Sequence, residues 1–334
     1  MKGSVRWEAW PEWLRAFVLA SAAFLAPSLP VSCGGRGATP ANAPAAPAFD
    51  LDGDEVALLP PGAIVAATVD VRAACENREF GAQVSALANA LLPHEVEVGL
   101  VPSRDVERVT FASYALQGAD AVVVLRGRFD PAAIARAAGS VFAATPYSGR
   151  TLFTHGNVGF ALLTSRTVLA GSGPGLRLAL DRIRDGRTNP ELAAPMRDTL
   201  RTKNVAAAIA ADFTGAPLTA LQGLPVPPWV GSVKGARGVA TFQEPGVRVS
   251  GSLTFDDTSH AAAGILAVRQ LASLIDAIAV SGAVPKLGNF TSGADGSDVQ
   301  VGFTIDQASL RSVLAGLPQW LPSGTSSAAP NGAH

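Results

Sequence analysis

The sequence predicts an α+β fold made of two related strand-helix-strand-strand-helix halves, with mainly antiparallel sheets and helices packed on one face of each. Three observations predict it. Val247, Val249, Leu253 and Phe255, and again Val299, Val301, Phe303 and Ile305, fall on one side of a two-residue alternation, the pattern of a strand with one buried and one wet face. The segments that follow carry apolar residues at three-and-four spacing: Ile265, Val268, Leu271, Ile275 and Ile278 in one, Leu310, Val313, Leu314 and Leu317 in the other. Each join is an aspartate, Asp256 and Asp306, and the same join recurs at Asp130 after the apolar run Val122 to Leu125. Aspartate suits that place because its carboxylate accepts hydrogen bonds from the free N–H groups of a helix's first turn, and Pro131 suits the first helical position.

Taken in chain order, the first half (58–202) opens with a strand from Ile64 to Val71 and a helix from Phe80 to Leu92. The run Val122 to Pro131 then leads into a helix from Ala132 to Phe142. Thr151 to His155, Gly159 to Leu163 and Thr167 to Gly171 read as three short strands closed by a helix from Gly175 to Arg184. Asn189-Pro190 then starts a further helix reaching about Arg201. The second half (203–322) opens with a strand from Val205 to Phe213 and a less regular helix from Pro217 to Leu224, followed by the two echoed strand-helix units. Residues 323–334, from Ser323 to His334, lack the bulky apolar side chains a core needs and read as a disordered tail. The folded body resembles exported bacterial proteins of unknown function, a resemblance that implies no activity.

Residues 1–32 read as an export signal. Lys2, Arg6 and Arg15 precede the apolar stretch Ala16 to Ala26, which falls short of the ~20 residues a spanning helix requires and is followed by Pro27 and Pro30. The stretch Leu29-Pro30-Val31-Ser32-Cys33-Gly34-Gly35 resembles the lipobox of bacterial lipoproteins. The resemblance implies cleavage after Ser32, a diacylglycerol lipid attached to Cys33 and, with Gly34 in place of an aspartate, anchoring at the outer membrane. Pro30 stands where that family places leucine. Ordinary secretory cleavage near Ala46-Pro47-Ala48, giving a periplasmic or secreted product, is the alternative. Residues 33–57 are read as a Gly/Pro/Ala-rich tether, since 34–48 hold no bulky apolar side chain.

Composition excludes some classes of function. The chain is 48% hydrophobic and 16% charged with a formal net charge of -1, and loss of Lys2, Arg6, Arg15, Glu8 and Glu12 with the signal leaves -2. No basic stripe is present to gather phosphates, so nucleic acid is not expected as a partner. With Cys33 acylated, Cys75 has no partner and reads as a small semi-buried residue.

No motif carries recognisable chemistry. Gly171-Ser172-Gly173-Pro174-Gly175 has the setting of a phosphate loop but not the spacing, and reads as a tight strand-to-helix turn. The acidic run Asp50, Asp52, Asp54 and Glu55 lacks calcium-loop spacing and reads as a solvated linker end. Asp256-Asp257 reads as a cap, and Asp295 to Asp298 as a hairpin turn. His94, His155, His260 and His334 show no metal-ligand spacing, so no catalytic residue, metal or cofactor is expected. The Pro-rich stretch Leu224 to Val230 reads as a loop pinned by Trp229. The resulting expectation is a lipoprotein tethered to the membrane through Cys33 and acting as a binding module for a protein or an apolar ligand. An exported hydrolase with an unrecognised active site is the alternative, which a deep pocket where His94 or His155 converges with carboxylates would favour.

Overall fold

The computed structural model describes residues 50–90, 100–115, 120–139, 141–216, 228–279 and 284–320. Cys33, the signal segment, His94, His334, the Pro217 to Leu224 helix and the C-terminal tail lie outside the described residues.

Twelve strands form one continuous antiparallel sheet in the order β11-β12-β10-β9-β8-β1-β2-β3-β7-β6-β5-β4. The strands are β1 (Val65–Asp70), β2 (Val106–Ser113), β3 (Ala121–Gly127), β4 (Ala143–Tyr147), β5 (Arg150–His155), β6 (Val158–Leu162), β7 (Thr167–Ser172), β8 (Ala207–Asp212), β9 (Val233–Gln243), β10 (Gly246–Phe255), β11 (Leu287–Asp295) and β12 (Asp298–Asp306). The helices are α1 (Val71–Cys75), α2 (Gly81–Ala90), α3 (Pro102–Asp105), α4 (Pro131–Ala138), α5 (Gly173–Arg184), α6 (Ala194–Leu200), α7 (Thr258–Ala279) and α8 (Gln307–Trp320). The α+β class and the antiparallel pairing are as the sequence predicts. The halves, however, share one sheet rather than carrying one each, joined where β1 pairs with β8.

From that junction each half runs outward in a matching order. On one side stand β1, β2, β3, β7 and β6, and on the other β8, β9, β10, β12 and β11. α4 follows β3 as α7 follows β10, and both open on an aspartate. Asp130 accepts from the N–H groups of Ala132 and Ala133, and Asp306 caps α8 through Ser309. The cap of α7 is Asp257, which accepts from the His260 N–H, and not Asp256.

Residues facing each other across an antiparallel pair share a face, so the registers assign every side chain. One face, the α5 face, gathers Ala66 of β1, Ala112 of β2, Val122 and Val124 of β3 and Leu169 of β7 under Leu176, Ala179 and Leu180 of α5 and Met196 and Leu200 of α6. The buried hydroxyls of Thr68 and Thr110 on this face satisfy each other at 3.2 Å. The opposite α7 face packs Phe111, Val123, Val168 and Ala170 under Ile134 of α4, and further along packs Ala211, Leu253 and Val299 under α7. The N-terminal half is therefore covered on both faces, unlike the one-face cover expected, whereas the C-terminal half carries α7 on one face and, on the other, α6 against β8 and β9.

Two boundaries move. The folded body starts before Leu58: Val56, Ala57, Leu58 and Leu59 are buried in a short helical turn capped by Asp54, so residues 50–57 are docked on the folded body and are not a tether. The last helix of the first half starts at Ala194, because Asn189 and Glu191 are drawn onto the buried Arg182. Its Nη2 donates to the Asn189 carbonyl at 3.1 Å, and its Nη1 lies 2.6 Å from the Glu191 carboxylate.

Candidate binding surfaces

The acidic run is consumed by the protein itself. Asp52 accepts from the hydroxyls of Thr164 and Thr167, Glu55 pairs with Arg108 and Arg126, and Asp54 pairs with Arg201. Burial alone would raise the Asp52 carboxyl, but the Thr167 and Thr164 hydroxyls outweigh it and hold the pKa below its ordinary value. The run is docked structure, not a solvated linker end. The glycine-rich loop is a turn: the Ser172 hydroxyl accepts from Gly175 N at 3.2 Å and donates to Asp120, whose carboxylate would repel a phosphate at the start of α5.

His155 is exposed, with Nδ1 3.2 Å from the Val141 carbonyl and its ring against Phe142. Asp256, Asp257 and His260 converge at the exposed start of α7, but the Ser259 hydroxyl donates to Asp257 and not to His260, as a cap does and a proton relay does not. Cys75 is a half-buried free thiol; Trp229 packs onto the α7 core, while 224–227 of its stretch lie outside the described residues. Asp295 and Asp298 flank the turn between β11 and β12.

Two surfaces of the C-terminal half stand apart. The first is α7. Its inward side, Ala261, Gly264, Val268 and Ala272, is buried, with Gly264 so close to Phe255 that a Cβ there would lie 2.3 Å from the ring. Arg269 and Asp276 hold one flank to β11 through Ser292 Oγ (3.0 Å) and Leu287 N (3.1 Å). The outward side is mainly apolar, with Leu266 61% exposed, Leu274 56%, Leu271 48% and Ile278 43%, and it also carries the exposed Gln270 and Ser273. Leu271 and Ile278, expected in the core-facing stripe, thus face outward. At 22 residues and mean hydropathy 1.5, α7 has the length and composition of a spanning helix, yet one side is committed to the sheet.

The second surface is the α5 face of β9, β10, β12 and β11, where α5 and its neighbours have no counterpart. The registers align two rows across these strands, Arg237-Ser252-Gln300-Gly293 and Val239-Ser250-Gly302-Thr291. They floor an open trough of about 570 Å³, bordered by Thr199 and Thr202 at the end of α6. Sequence reasoning missed it, because its residues meet only through pairing; the serine, glycine and threonine positions alternating with Val249, Leu253, Val299 and Val301 were the available signal.

No protein-family model and no curated protein sequence matches the chain. Among solved structures it is similar to TP0453 of Treponema. Crystal form I is 13% identical and covers 80% of this chain and 99% of that chain at a TM-score of 0.49. Form III is 14% identical and covers 79% and 98% at 0.49. Form IV is 14% identical and covers 78% and 96% at 0.48. This likeness is too distant to bear on function.

Proposed function

We propose that the protein is an exported lipoprotein, anchored at the envelope membrane through an acylated Cys33, and that it serves as a binding module rather than an enzyme, with the outer face of α7 lying against the bilayer. The exposed leucines of α7 carry this reading. A helix with an apolar outer arc, held to its protein by the other side, has the form of an interfacial contact rather than of a crossing segment. Burying the exposed part of each leucine is worth roughly 1–2 kcal/mol, which is marginal alone and effective beside a lipid anchor. The segment from Cys33 to Asp50, even fully extended, reaches no further than roughly 60 Å, so an anchored molecule stays within its own dimensions of the membrane.

Two measurements on the full chain test the reading. Intact-mass analysis of protein purified from membranes is expected to show a diacylglyceryl adduct on a chain beginning at Cys33, absent from Cys33→Ala; an unacylated chain beginning downstream of Cys33 would overturn the anchor. Flotation with phosphatidylcholine vesicles is expected to retain a fraction of Cys33→Ala, and to lose it when Leu266→Glu and Leu274→Glu are added. Equal flotation with and without those two changes would overturn the role of α7.

A further inference from the structure

We infer that the trough on the α5 face of β9, β10, β12 and β11 is a binding site for an acidic polysaccharide. The inference is independent of the anchor at Cys33 and of the outer face of α7, which lies on the other side of the sheet.

The lining decides the ligand class. Ser250, Ser252, Thr291 and Gln300 present hydroxyl and amide groups that both donate and accept, matching a polyhydroxylated surface. Two guanidinium groups, Arg237 and Arg248, reach the same trough, and no carboxylate lines it among the described residues. Arg237 is set in place at the rim: it donates to Asp298 at 2.9 Å, and Asp298 also accepts from Thr254 at 2.6 Å. The Arg248 side chain is exposed and makes no ion pair or hydrogen bond with the described residues, so among them its positive charge in the trough is uncompensated. The polar lining among the described residues disfavours an acyl chain.

The shape points the same way. An exposed sheet face in contact only with water carries long charged side chains at no cost, but here serine, glycine and threonine hold five of the eight positions in the two rows, beside Arg237, Gln300 and Val239. At Gly302 even a Cβ would stand 2.8 Å from Thr291 Oγ1. The short floor lets a flat chain approach the backbone. The polar rows cross neighbouring strands about 4.8 Å apart, close to the advance per ring of an extended polysaccharide, so consecutive sugars would meet consecutive strands. A negatively charged sugar then falls to Arg248.

The test is calorimetric titration of the full chain in neutral detergent with an oligogalacturonide, a neutral oligosaccharide of equal length, and inorganic phosphate. The acidic oligomer is expected to bind, and each of the other two to bind at least about tenfold more weakly, since one supplies no charge and the other no hydroxyl rows. Arg248→Gln, an exposed change that leaves the core untouched, is expected to weaken the acidic oligomer about tenfold, and Gln300→Ala severalfold. Gly302→Val is expected to abolish binding by raising the floor; should it fail to fold, Arg248→Gln carries the test. Failure of the acidic oligomer to bind, equal binding of the neutral oligomer or of phosphate, or full binding by both Arg248→Gln and Gln300→Ala would overturn the inference.

Discussion

The halves of the sheet run the same strand order outward from the β1–β8 junction, yet they finish in different surfaces. In the N-terminal half the α5 face is sealed by α5, α6 and the turn at Glu55–Leu58, and the other face by α4, Phe129 and their neighbours. Val122, Val124, Leu169 and Leu176 are fully inaccessible there. In the C-terminal half the matching face of β9, β10, β12 and β11 is an open trough, and α7, standing where α4 stands, is 22 residues long against 8 and keeps exposed leucines on its outer side. The difference teaches that one topology supports two degrees of cover: a half sealed on both faces, and a half whose outer helix side and α5-face strands stay exposed among the described residues.

The comparison breaks most visibly in stability. Leu169→Ala, at a site with no exposure, is expected to cost about 3 kcal/mol of unfolding free energy, whereas Val301→Ala, half-buried beneath α7, should cost about 1 kcal/mol or less. Paired denaturant titrations check this; equal losses would mean the C-terminal half is packed as tightly as the other. Next in size is Gly264→Ala. Alanine favours a helix over glycine by about 1 kcal/mol, but its Cβ collides with the buried Phe255 ring, so the variant is expected to lose about 1–2 kcal/mol net. A gain in stability would show that α7 is not seated on Phe255.

Asp52→Asn sharpens the account of the sealed half, since it weakens two hydroxyl hydrogen bonds that fix the segment before β1. A loss of about 1 kcal/mol and faster amide exchange at Val56 to Leu59 are expected. Because the Asp52 pKa is depressed, its contribution is present above the ordinary aspartate value and fades as the pH falls through the lower folded one.

The smallest effect concerns the start of α7. The hydrogen bond to Asp256 holds the His260 imidazole above its ordinary value, although a cation at a helix N-terminus is otherwise disfavoured. A pKa raised on folding stabilises fully below about 6.5, and that stabilisation disappears as the pH rises through the folded value. An NMR titration of His260 is expected to shift back to the ordinary value in Asp256→Asn; an unchanged titration would remove Asp256 as the cause.

What the sequence made legible follows from where a single pattern was enough. Val247 to Phe255 and Val299 to Ile305 alternate cleanly because one face is buried, and Asp130 and Asp306 cap as their chemistry requires. β2, β4, β9 and β11 went unrecognised. β9 reads Val-Lys-Gly-Ala-Arg-Gly and β11 Leu-Gly-Asn-Phe-Thr-Ser-Gly, compositions with weak strand preference that are strands because neighbours pair with them. In α7 periodicity announced a helix but not its orientation: with bulky apolar residues on more than one side, nothing in the spacing says that Val268 faces the sheet while Leu271 and Leu274 face away. Arg182 shows the same limit, since a buried arginine reshapes the residues before α6 only once the fold has brought Glu191 to it.

The central claim, that the two halves differ because α7 meets the membrane, is tested most directly by spin labels at two exposed leucines on opposite faces of the sheet, Leu274 on α7 and Leu178 on α5. With the acylated chain bound to phosphatidylcholine vesicles, the label at 274 is expected to gain accessibility to oxygen and lose it to a water-soluble nickel chelate, while the label at 178 keeps its solution values. Solution values at both positions, or burial of 178 in place of 274, would contradict it.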